Sequence, residues 1–443
     1  MADTVDDEAA GVERIAALLA APGAAAIAER LESAVRRGEL LPGSVLPPIR
    51  SLARWIGVDA NTVAAAYRAA RDRGLVETAG RAGTRVLERP STTPRGSLGP
   101  PVPPGALDLT RGEPDPALLP PLLLDVPPVS TGYAVAGRDG LTDLLRSAAR
   151  EALGAEGVPT AELTVASGAL DAIERALRAV VRPGARVAVE DPGWGNVLDL
   201  LPAMGHAAVP VALDEEGPLP DALEAALASG VAAVVVTARA QNPTGAAVSQ
   251  ERAEVLRGLL SAHPEVLVVE DDHGAALTRL PLSTLAGATR RWVHVRSASK
   301  AYGPDLRCAV VAGDEVTVAR TAGRLRLGPG WVSTLLQDAT ARAWSTQGDV
   351  VARAAEVYDE RRAALVAALA DRGVRAWGRS GLNAWVPVHD EARAVAGALE
   401  QGVAVAPGSR FRLASGPAVR VSTSQLPVGR AREVAEVLAP LAG

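Results

Sequence analysis

The chain of 443 residues contains one cysteine, Cys308. That excludes a disulfide framework and a zinc site built on cysteines. Its five histidines are scattered and give no metal-ligand spacing. No run of about 18 apolar residues is free of Pro, Gly and charge, so no membrane span is expected. The first residues, Met1-Ala2-Asp3 with Asp6, Asp7 and Glu8, lack the basic start and apolar core of a secretory signal. A cytoplasmic protein is expected. The most informative scarcity is lysine. Of 46 basic residues, Lys300 is the one lysine and the other 45 are arginine. A compositional bias can replace lysine wherever charge alone is needed. It cannot do so where a nucleophile is needed, because guanidinium stays protonated and delocalised. Lys300 is therefore either a chance survivor or a Schiff-base lysine, and its surroundings must decide.

What is present is globular. Hydrophobic residues make up 48% and charged residues 22%, which allows about two to four domains and excludes disorder as a whole. Charge is uneven. Residues 1–20 carry a net −4, residues 21–89 a net +4, and the remainder −5. A small basic module ahead of a large acidic one suggests a nucleic-acid-binding head. Between them Pro90-Ser91-Thr92-Thr93-Pro94-Arg95-Gly96 leads to Pro100, Pro101, Pro103, Pro104 and Gly105. This reads as a semi-rigid linker over residues 89–106. The expected domains are residues 21–88, then the linker, then 107–443.

In the head, Ile27, Leu31 and Val35 recur at helical spacing in a helix over about 24–38. A second helix is predicted from Pro48 to Trp55, and a third over about 60–73 with Asp59 as its N-cap and Gly74 as its stop. Leu75-Val76-Glu77 and Thr84-Arg85-Val86 flank a Gly80-Arg81-Ala82-Gly83 tip and predict a hairpin. Three helices and a basic hairpin make a winged helix-turn-helix. In that layout Asn61 and Thr62 face base edges, while Arg50, Arg81 and Arg85 meet phosphate or the minor groove. A helical protein-interaction module is the alternative. Leu46-Pro47-Pro48-Ile49-Arg50-Ser51-Leu52-Ala53, then Val58 to Val63, Gly74-Leu75-Val76 and Gly83-Thr84-Arg85-Val86 resemble the GntR-type winged-helix domain. One departure is Asp59-Ala60, where the family usually has Ser-Arg.

After residue 138, helical stretches near 138–153, 168–181, 193–203, 218–229 and 249–262 alternate with apolar, β-branched runs such as Ala232 to Val236 and Val266 to Val269. Such runs are buried on both faces of a mostly parallel sheet, so the body is α/β. Residues 348–443 read as helix, strand, helix, strand, helix, a smaller α+β subdomain. Polar motifs sit where the strands end. Ser167-Gly168-Ala169 opens a helix, whose free N–H groups attract phosphate. Asp191-Pro192-Gly193-Trp194 offers an aromatic face. Gln241-Asn242-Pro243-Thr244-Gly245 follows a strand, and Glu270-Asp271-Asp272-His273 ends another, where α/β ligands bind. Ser297-Ala298-Ser299-Lys300, with Arg307 beyond, pairs hydroxyls and a guanidinium with an amine, which suits a phosphorylated carbonyl compound. Trp331, Trp344, Trp377 and Trp385 read as core.

In this order and spacing, these motifs resemble fold type I pyridoxal 5'-phosphate enzymes of the class I/II aminotransferase group. The resemblance implies that Lys300 forms the aldimine with the cofactor, Asp271 pairs with its pyridine nitrogen, Asn242 bonds its phenolic oxygen and Trp194 stacks on its ring. It further implies that Ser167, Gly168, Ala169, Ser297, Ser299 and Arg307 hold the phosphate. Arg420, with Gly112, would bind a substrate carboxylate, and Tyr133 would reach the phosphate in the other subunit of a homodimer. His273 stands where the family usually has tyrosine. Head and body together resemble the MocR subfamily of GntR regulators. That implies a dimeric regulator that binds an operator in double-stranded DNA and senses pyridoxal phosphate or a small amino compound. An aminotransferase with an accessory head, or a scaffold with a structural cofactor, remains the alternative.

Overall fold

The computed structural model describes residues 13, 15–36, 39–40, 43–72, 75–78, 83–86, 102–122 and 139–442. Arg81, Gly74 and Tyr133 lie outside the described residues. The chain divides into two compact units, an N-terminal one and a large α/β one.

The N-terminal unit has helices Ala24–Arg36, Ile49–Ile56 and Ala60–Asp72. Ile27, Leu31, Leu52, Val63 and Tyr67 fill its core. Gly57, in the left-handed region at φ 71°, ends the second helix. Asp59 then accepts from Asn61 N at 2.7 Å, as an N-cap should. The predicted hairpin, Val76–Thr78 with Thr84–Val86, acquires a third strand, Val45–Leu46, antiparallel to Thr84–Val86. Two residues are too few for periodicity to mark that strand beforehand. The Tyr67 hydroxyl donates to the Pro47 carbonyl at 2.9 Å and ties the third helix to the turn before the second.

The large unit is built on an eight-stranded sheet in the order Glu162–Ala166, Ala309–Gly313, Arg291–Ser297, Leu267–Asp271, Ala233–Thr237, Arg186–Asp191, Ala207–Asp214, Gly217–Pro218. The central pairs are parallel. Ala309–Gly313 runs against both of its neighbours, so Glu162–Ala166 points the same way as the central strands. Every residue of Ala233–Thr237 and Leu267–Asp271 is buried, as strands covered on both faces require. The sheet therefore delivers the carboxyl ends of five strands to one edge.

The C-terminal subdomain departs from expectation. It has three strands of its own, Asn383–Pro387, Val403–Pro407 and Ala418–Ser422, where the sequence suggested two. The last two are five residues each, and the segment between them carries Arg410, Arg412 and a short turn, which hides their separate periods. Leu107–Leu109 joins this sheet, parallel to Val403–Pro407. Trp331 is also corrected: it is 52% exposed, not core, because it sits in the loop between helices Glu315–Leu327 and Thr334–Thr346. Trp385 is buried, and Trp344 and Trp377 are partly so.

Candidate cofactor and effector site

At the carboxyl edge of the sheet lies a cavity of about 180 Å³. Gly112, Ala169, Trp194, Asn242, His273, Ser297, Ser299, Lys300 and Arg307 all line it. Ala169, Trp194, Asn242, His273, Ser297, Ser299 and Lys300 are gathered because parallel strands end together, whereas Gly112 and Arg307 reach the cavity from other segments. Leu170, Asn196, Ala240, Leu277, Leu382 and Asn383 also line it and carried no sequence signal.

Lys300 lies in the short helix Ser299–Tyr302, after the strand Arg291–Ser297. Its Nζ donates to the Gly112 carbonyl at 2.9 Å. Burial pushes its pKa below the ordinary lysine value, which raises the fraction of free amine. Beside it the Ser299 Oγ is buried with no hydrogen-bond partner among the described residues.

Gly168 N-caps the helix Ala169–Val180 with φ 99° and ψ 172°, a conformation reserved for glycine. A Cβ there would stand 2.7 Å from Arg307 Nη2, and that guanidinium donates to the Ser167 carbonyl at 2.8 Å. A helix N-terminus, an arginine and an unpaired hydroxyl come together here, a set suited to a phosphate dianion, while Asp171 in the first turn accepts from Ser167 N at 2.8 Å.

Asp271 and His273 are paired. Asp271 accepts from His273 N at 3.1 Å, and its other oxygen lies 2.8 Å from His273 Nδ1. Burial alone would lower the imidazole pKa, but the Asp271 carboxylate outweighs it and the net shift is upward. The Trp194 and His273 rings lie 5.4 Å apart, tilted by 35°. Glu190 is buried nearby, accepting from Thr237 N at 3.0 Å, Thr237 Oγ1 at 2.8 Å and Gln241 Nε2 at 3.2 Å. Burial raises its pKa to about 7, with the Asp271 charge adding to the rise.

Asp272, adjacent to Asp271, belongs to a different network. It accepts from Arg239 Nε at 2.9 Å and Arg296 Nε at 2.8 Å. Both arginines also reach Glu156, Arg239 at 2.7 Å. Arg239 precedes the loop bearing Asn242, and Arg296 precedes Ser297. The buried carboxylate thus anchors the two segments that carry Asn242 and Lys300. Burial would raise the Asp272 pKa, but Arg296 and Arg239 hold it well below the usual carboxylate range.

Arg420 is 5% exposed. Its Nη1 donates to Asn242 Oδ1 at 3.0 Å and its Nη2 to the Thr110 carbonyl. It lies 4.5 Å from the centre of the Phe411 ring. Its Nε has no partner among the described residues, nor does it form an ion pair there. A Cβ on Gly112 would come within 2.8 Å of Nη1, so glycine makes room for the guanidinium. In the N-terminal unit Arg50, Asn61 and Arg85 are exposed and Thr62 is partly so.

Known proteins agree with this architecture. The pattern of the family "Aminotransferase class I and II" matches residues 136–438, and that of "Bacterial regulatory proteins, gntR family" matches residues 24–86. The vitamin B6 salvage pathway transcriptional repressor PtsJ of Salmonella typhimurium is 38% identical over 396 residues, spanning 88% of this chain and 91% of that protein. The HTH-type pyridoxine biosynthesis transcriptional regulator PdxR of Corynebacterium glutamicum is 28% identical over 304 residues, 64% of each chain. A Thermus thermophilus aspartate aminotransferase double mutant has the same fold as the body, with a TM-score of 0.65 at 26% identity over 76% of this chain and 91% of that one. No described helix is long and apolar enough to cross a membrane. The chain belongs to the MocR-type regulators of the GntR family, in which a DNA-binding winged-helix head is fused to an aminotransferase class I and II domain that takes pyridoxal 5'-phosphate.

Proposed function

We propose that this protein regulates transcription in the cytoplasm as a homodimer, and that its affinity for an operator responds to pyridoxal 5'-phosphate or to a small amino compound at the cofactor site. The observation that carries the reading is Lys300: the chain's one lysine is half-buried and lines a cavity, beside an unpaired hydroxyl and the cradle at Gly168 and Arg307. The domains are residues 21–88, a linker over 89–106, and 107–443.

When bound, the cofactor supplies an aldehyde that condenses with amines and a ring that withdraws electrons. The chain's residues divide the work of holding it. Ser167, Gly168, Ala169, Ser297, Ser299 and Arg307 bind the phosphate, with Tyr133 contributing to the other subunit's site. Lys300 presents its amine. Asp271 holds a proton at the ring nitrogen, and Trp194 covers the ring. Asn242 has its oxygen engaged by Arg420, which leaves its amide nitrogen to donate to the phenolic oxygen. His273 is oriented by Asp271. Arg420, with Gly112 making room, offers a buried cation to an amino compound's carboxylate. In the head, Asn61 and Thr62 read base edges while Arg50, Arg81 and Arg85 meet phosphate or the minor groove.

Regulation follows as a population shift: a ligand that binds one arrangement of heads on bodies more tightly favours it. The intact set of Lys300, Asp271 and Arg420 favours transamination as a second reading. Fluorescence anisotropy on an operator selected from random DNA separates the two. A change in affinity on adding cofactor or amino compound supports regulation. Unchanged DNA affinity with sustained keto-acid release supports the enzyme.

A further inference from the structure

We infer that the winged-helix head selects operators with an adenine·thymine core in each half-site: Asn61 hydrogen-bonds an adenine in the major groove, and the Ala65 methyl group packs on the C5-methyl of a nearby thymine. This rests on the reading that Asn61 and Thr62 face base edges.

The helix Ala60–Asp72 has an inner and an outer face. Val63, Ala66, Tyr67 and Ala70 are buried in the core of the N-terminal unit. Asn61, Ala65 and Arg68 recur at helical spacing on the opposite side, with Asn61 and Arg68 exposed. The helix is held in place. Asp59 caps it by accepting from Asn61 N at 2.7 Å, and the Tyr67 hydroxyl donates to the Pro47 carbonyl at 2.9 Å. In a helix-turn-helix the first residues of such a helix reach the bases. Here they carry no cation: Ala60 to Ala65 include no arginine or lysine. Arg68 comes about 10 Å further along the axis than Asn61.

The major groove gives each of these side chains a partner. Guanine O6 and N7 are read by arginine or lysine, and the first turn and a half offers neither. The asparagine amide has a donor and an acceptor side by side, which match adenine N7 and N6 as a bidentate pair. The bond to Asp59 uses the Asn61 backbone N–H and leaves the amide to the base. Alanine has no polar side-chain atom, and its methyl group complements the thymine C5-methyl. Ala65 follows Asn61 on the same face by about 6 Å, within about two base-pair steps of 3.4 Å. Thr62 can serve any pair.

The test uses the full-length protein, with and without pyridoxal phosphate, and an operator selected from random duplex DNA, with affinity read by fluorescence anisotropy. Placing 7-deazaadenine at each half-site adenine in turn removes N7. One position should weaken wild-type binding about 5-fold and leave Asn61→Ala unaffected. Placing uracil at each thymine in turn removes the methyl group. One position close to the first should cost the wild type about 4-fold and Ala65→Gly nothing. Asn61→Arg should move the preference at the first position from adenine to guanine by about 10- to 100-fold. The inference is overturned if the pair that depends on Asn61 is guanine·cytosine, if every 7-deazaadenine costs wild type and Asn61→Ala alike, or if no uracil separates wild type from Ala65→Gly. If selection enriches no sequence at all, the base-edge reading itself fails and this inference falls with it, a result distinct from a specific operator with another core.

Discussion

Replacing Gly168 by alanine tests the phosphate cradle where it is tightest. The backbone there, at φ 99° and ψ 172°, costs about 1–3 kcal/mol for a residue with a Cβ. The new methyl group would lie 2.7 Å from Arg307 Nη2 and 3.0 Å from its Cζ, so the guanidinium must withdraw and release the Ser167 carbonyl. A charge-assisted hydrogen bond to phosphate is worth about 1.5–3 kcal/mol. Losing one lowers cofactor affinity on the order of 10- to 100-fold. Gly157→Ala is the control: its φ of 79° is also positive and strained for a residue with a Cβ, but nothing lies within 4 Å of the added Cβ. Urea melts report the stability cost of each variant, and absorbance titration with pyridoxal phosphate reports affinity. Both variants should lose stability, and Gly168→Ala alone should lose cofactor. Equal affinity in the two variants would refute the cradle.

Asp272→Asn leaves the buried Arg239 and Arg296 undercompensated and should cost about 3–5 kcal/mol in urea melts. Because the folded pKa of Asp272 is depressed, its contribution is complete above about pH 4 and fades as pH falls further; the gap between variant and wild type should narrow there. For Glu190 the sign is opposite. Its folded pKa, raised to about 7, means that the folded state keeps a proton the unfolded chain has lost, so wild-type stability declines as pH rises through about 4.5 to 7. Glu190→Gln should gain stability relative to wild type between about pH 5 and pH 8, and a constant difference would contradict this. Gly112→Ala should displace Arg420 and weaken carboxylate-bearing amino compounds roughly 10-fold, a larger loss than that of pyridoxal phosphate, which feels the change only through Asn242, in the same titrations.

The sequence made the large sheet legible because its strands are short, β-branched and buried, and because each of five motifs sits at a strand's carboxyl end. Lys300, Asn242 and Ser297 could be read that way. The resemblance singles out Asp271, but no local pattern encodes that Asp271 pairs with His273 while its neighbour Asp272 takes Arg239 and Arg296. The pairing of Leu107–Leu109 with Val403–Pro407 is a contact across nearly 300 residues, which no local pattern encodes.

The most direct test of the whole account is the visible absorbance of the purified protein with pyridoxal phosphate, measured together with its operator affinity, in wild type and Lys300→Ala. The account predicts a band in the wild type that the substitution abolishes, along with any response of DNA binding to the cofactor. A colourless wild type, or a Lys300→Ala protein with the same band and the same response, would contradict it.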